Sequence, residues 1–76
     1  MYKYKNKMRK QMIEVLLSKW KAERDIAKEN ISVYLTSSAG IGEHSDIMEA
    51  LELQVKKFND ADDMVESLKK LITAFN

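Results

Sequence analysis

At 76 residues, with a net charge of +1 and no cysteine, the chain has room for one domain, and neither a disulfide framework nor a cysteine-based zinc site can hold it together. Zero prolines, two glycines and 33% charged residues favour long helices over a sheet. A chain this short buries only about 60% of the surface its unfolded form exposes, so regular helix packing, self-association or both must supply what bridges and metals do not.

The chain opens on MYKYKNKMRK, five bases without an acid. Tyr2, Lys3, Tyr4, Lys5, Lys7, Arg9 and Lys10 combine cations that can neutralise phosphates with rings that can stack on bases, which makes nucleic acid or an anionic membrane surface a candidate ligand. The competing reading is a solvated helix start whose charges serve solubility. From Ile13 onward, Ile13, Leu17, Trp20, Ala27, Ile31 and Tyr34 recur at alternating spacings of four and three, interrupted only by Arg24. That spacing predicts a first helix over about residues 5–36 with one apolar seam.

The stretch SSAGIGEHSDIME predicts a turn at about residues 37–45. Gly40 or Gly42 can take the positive φ that ends the first helix, and Ser45 or Asp46 is expected to cap the second, with Glu49 as capping-box partner. Asp46 and Glu49 also place negative charge at the positive end of that helix. His44, flanked by Glu43 and Asp46, offers possible ligands, but one histidine does not build a conventional metal site. Gly40-Ile41-Gly42 lacks the preceding strand that both glycine-rich phosphate loops require. The sequence therefore predicts no metal, no cofactor and no catalytic residue, and hence no enzyme.

Ile47, Leu51, Phe58, Ala61, Val65, Leu68, Ile72 and Phe75 form a second seam, with Gln54 its polar member, predicting a helix over about residues 46–75. The expected fold is all-α: one domain over 1–76, an antiparallel two-helix hairpin with heptad, coiled-coil-like packing. Folding the chain about its glycines brings together positions whose numbers add to 81 or 82. Trp20 should then meet Ala61, Tyr34 meet Ile47, Ile31 meet Leu51, Leu17 meet Val65 and Ile13 meet Leu68, with Arg24 near Phe58. Met8, Met12, Leu16, Ile26, Val33 and Leu35 on the first helix fall off the seam, as do Met48, Leu53, Val55, Met64 and Leu71 on the second. So much unplaced apolar surface points to assembly into a four-helix bundle, a homo-oligomer with a dimer as its simplest form, or to a helical protein partner.

Charge is segregated along the chain. Residues 1–24 carry eight bases and two acids, residues 25–66 three bases and ten acids. The hairpin should set Asp60, Asp62, Asp63 and Glu66 beside Lys19, Lys21 and Arg24, fixing the register.

Gly40-Ile41-Gly42-Glu43-His44, followed by Asp46-Ile47, resembles a recurrent pattern in short uncharacterised proteins of tailed bacteriophages from marine bacteria. The similarity spans roughly residues 30–72 and leaves the basic start outside it. It implies a source, a recurring helical hairpin, and a loop or partner role for Glu43 and His44, without any assigned activity. The function expected is a small interaction module, self-associating, such as a phage accessory factor binding a host or phage protein. The alternative is a nucleic-acid-binding accessory protein that uses the basic start. The start lacks the apolar core of a secretory signal and no apolar run reaches the ~18 residues of a membrane span, so a cytoplasmic location is expected, that of the host if the gene is a phage's.

Overall fold

The computed structural model describes the backbone of residues 2–37 and 44–75, and side chains over 7–36 and 46–75. Two helices make up the fold, α1 at Tyr2–Ser37 and α2 at His44–Ala74. They pack side by side along their length as an antiparallel hairpin measuring 61 × 13 × 13 Å. The 17.5 Å radius of gyration exceeds the roughly 11 Å of a compact domain of this length, so the molecule is a rod with a line of contact where a globule would have a core.

Both helices begin earlier than the seam periodicity suggests. Nothing in the strongly helix-forming YKYKNKMRKQM interrupts α1, and Lys10, three residues before Ile13, continues the heptad and is half-buried. Because α2 starts at His44, Ser45 and Asp46 are already helical. The expectation that either caps the helix is corrected, since a cap is the non-helical residue before the first turn. Asp46 keeps its electrostatic role in that first turn, against the exposed N–H groups. Gly40 and Gly42 lie outside the described residues, as do the side chains of His44 and Ser45. At the other end the Phe75 N–H donates to the Leu71 carbonyl at 3.0 Å, closing the last turn.

Ala27, Ile47, Ala61, Val65 and Leu68 are the buried apolar residues, with Val65 wholly inaccessible. The remaining seam positions are half-buried, save Gln54, which is buried, and Phe75, which is 48% exposed against the expectation for it. With Arg24, Leu17 and Ile31 as a positions and Trp20, Ala27 and Tyr34 as d, antiparallel packing sets each a against a d of the partner. Ala27 and Ala61 are the small members that let the backbones approach beside Trp20 and Phe58.

The cross-helix bonds fix the register. Asn30 Nδ2 donates to Gln54 Oε1 at 3.1 Å and Arg24 Nη1 to Asp62 Oδ1 at 3.4 Å, pairs whose numbers add to 84 and 86. The a-to-d layers consistent with both add to 85: Trp20 with Val65, Arg24 with Ala61, Ala27 with Phe58 and Ile31 with Gln54. The pairing of Trp20 with Ala61, and the others drawn from the turn midpoint, are therefore displaced by about one helical turn. Side chains on a helix lean toward its N-terminus, so in an antiparallel pair the groups that touch belong to residues one or two positions further along each chain than backbone height implies. In the same register Phe75 faces Lys10 rather than an apolar side chain, which accounts for its exposure.

Because the chain has no cysteine, the register can be trapped directly. Arg24→Cys with Ala61→Cys is expected to close an intramolecular disulfide on mild oxidation, read as a mobility shift on a non-reducing gel. Trp20→Cys with Ala61→Cys should close far more slowly. The opposite order of rates would restore the midpoint register.

Candidate interaction surface

Seam residues alternate with flanking ones, and each flank has its own chemistry. On one side Arg24, Asp25, Lys28, Ile31, Phe58 and Asp62 line an open groove. The Arg24 guanidinium spans it, with Nη1 at 3.4 Å from Asp62 and Nε at 4.0 Å from Asp25, and Phe58 shares the lining of the groove. A half-buried arginine in the seam needs such partners, because an uncompensated charge there would cost several kcal/mol. Lys19, expected among the acids, instead lies over the Trp20 ring, 5.3 Å from its centroid, because its position turns it to the back of α1.

The opposite flank holds a groove lined by Trp20, Ala27, Asn30, Gln54 and Lys57, among others, with Glu23 and Ile26 at its α1 edge. Gln54 is the buried polar residue of the seam, 9% exposed, and the Asn30 amide satisfies its carbonyl oxygen. Among the described residues no buried side-chain nitrogen or oxygen lacks a partner. A satisfied seam amide contributes little net stability but favours this alignment, because a shift of one heptad either way breaks its bond to Asn30.

All nine apolar residues proposed from sequence as an interface stand exposed: Met8, Met12, Leu16, Ile26 and Val33 on α1, and Met48, Val55, Met64 and Leu71 on α2. The structure does not gather them into one patch. Met48 and Val55 share a flank with Leu35 toward the turn, whereas Met64 and Leu71 share the other flank with Leu16 toward the far end. Val15, at 69% the most exposed large apolar side chain described, was not among the residues singled out from sequence. The signal for it is the spacing Met8, Met12, Val15, a four-three step independent of the main seam.

Of the basic start, Lys7 and Arg9 are exposed and leave α1 toward opposite flanks, while Lys10 is drawn into the seam. The side chains of Tyr2, Lys3, Tyr4 and Lys5 lie outside the described residues. Among the described residues no three histidine, cysteine or carboxylate side chains converge to hold a metal ion, and no helix is long and apolar enough to cross a membrane. Compared with protein-family models, with curated proteins and with solved structures, the chain matches none.

Gln54→Leu should raise stability by about 1 kcal/mol, since a buried leucine gains more than the lost amide bond and exposed Asn30 can turn to water. Chemical denaturation at fixed protein concentration checks this. A loss of stability would mean that the Asn30–Gln54 bond supports the hairpin beyond setting its alignment.

Proposed function

We propose that this protein is a non-enzymatic interaction module that self-associates, two hairpins forming a four-helix assembly through the apolar side chains left outside the seam. The observation that carries the reading is the imbalance of its surface. Thirteen large apolar side chains are exposed among the described residues, against five apolar residues buried. The accessible area of 6140 Å² exceeds by about 1,400 Å² what a compact monomer of 8.8 kDa presents. A standard specific interface removes about 800 Å² from each partner, so one further copy can cover most of the excess.

The even charge balance, near zero overall, leaves little long-range repulsion between two copies.

Sedimentation equilibrium at tens of micromolar is expected to give a dimer, with a melting temperature that rises with protein concentration as mass action requires. A monomer at hundreds of micromolar, melting at a temperature independent of concentration, would overturn the proposal.

A further inference from the structure

Resting on the self-association just proposed, we infer that two copies meet back to back through a second heptad seam on the outer face of α1, antiparallel about a two-fold axis beside residue 24. The stripe comprises Met8, Met12, Val15, Lys19, Ala22, Ile26, Glu29, Val33 and Thr36, spaced four and three like the main seam. At 3.6 residues per turn it lies about 160° around the helix from the residues that face α2. All of its members are exposed, and Val15 and Met12, at 69% and 65%, are the two most exposed large apolar side chains described. The same heptad positions of α2 carry Asp46, Glu49, Leu53, Lys56, Asp60, Asp63, Ser67 and Lys70, a single large apolar side chain among charged and polar ones, so only α1 offers an apolar back.

The two charged members of the stripe select its occupant and its alignment. In an antiparallel pair, positions whose numbers add to 48 face each other. Lys19 then meets Glu29 of the second copy twice over, Val15 meets Val33, and the small Ala22 receives Ile26. A slip of one heptad either way sets Lys19 against Ala22 or Thr36 and Glu29 against Met12 or Ile26, burying each charge on an uncharged neighbour. A parallel pair stacks Lys19 on Lys19 and Glu29 on Glu29. Opposite charges thus meet only in the antiparallel register centred on residue 24.

Glu23 and Asp25 fall beside their own copies at the axis, but each has a base nearby within its hairpin. Arg24 lies 4.0 Å from Asp25, and Lys57 shares the groove that Glu23 edges. Because the two seams of α1 are nearly opposite, the dimer is a flat layer of four helices in the order α2, α1, α1, α2, with the first helices at its centre.

Charge exchange tests the pairing. Lys19→Glu and Glu29→Lys each place like charges together at both symmetric sites, and each should weaken dimerisation at least about tenfold by sedimentation equilibrium. The double variant Lys19→Glu/Glu29→Lys restores opposite pairs and should recover a dissociation constant within about threefold of the parent, which also shows that the variants fold. If the parent dimerises while both single variants match it, or if the double variant is weaker than either single, the back-to-back interface is wrong and self-association stands. A monomeric parent would overturn both.

Discussion

Two helices can touch along one line only, and that constraint governs everything else in this molecule. A heptad seam buries two residues in seven, and the hairpin has spent its seam on Ala27, Ile47, Ala61, Val65 and Leu68, with larger side chains closing the edges. Among the described residues no third element lies over the flanks or the backs. The large apolar side chains described off the line therefore remain exposed, and the 6140 Å² of accessible surface is the direct result.

Within the seam, polar residues act on alignment more than on strength. Arg24 and Gln54 occupy positions where aliphatic side chains would pack more tightly, yet each finds a partner on the other helix, Asp62 and Asn30. Shifting the helices by one heptad breaks both bonds, setting Arg24 against Gln54 in one direction and against Leu68 in the other, so the cross-helix bonds to Asp62 and Asn30 select one register from several that the aliphatic pattern alone tolerates. The exposed pairs within α2, Lys56 with Glu52 and Lys69 with Glu66, add helix propensity along its outer face and leave the hairpin alignment untouched.

The helices and their inner faces were legible in the sequence because the spacing from Ile13 to Tyr34 and from Ile47 to Ile72 is a backbone property that no tertiary contact has to override. Register was less legible. Equating the turn midpoint with the contact level ignores the lean of side chains toward each helix start, and the error accumulates from both strands of the hairpin. The capping residues were misplaced for a local reason: Ser45 and Asp46 suit a cap chemically, but helical geometry is already in place at His44. The outer stripe of α1 was hidden because Lys19, Ala22 and Glu29 interrupt its apolar members. Only once the inner face is assigned does the remaining four-three spacing show as a seam in its own right.

We propose that one line of contact is too little to hold the helices by itself, so that folding and association form a single equilibrium. Far-ultraviolet circular dichroism on serial dilution, with sedimentation at each concentration, tests it most directly. The helix signal is expected to fall in step with the disappearance of the dimer between high micromolar and low nanomolar chain. A chain that sediments as a monomer while retaining its full helix signal would contradict it.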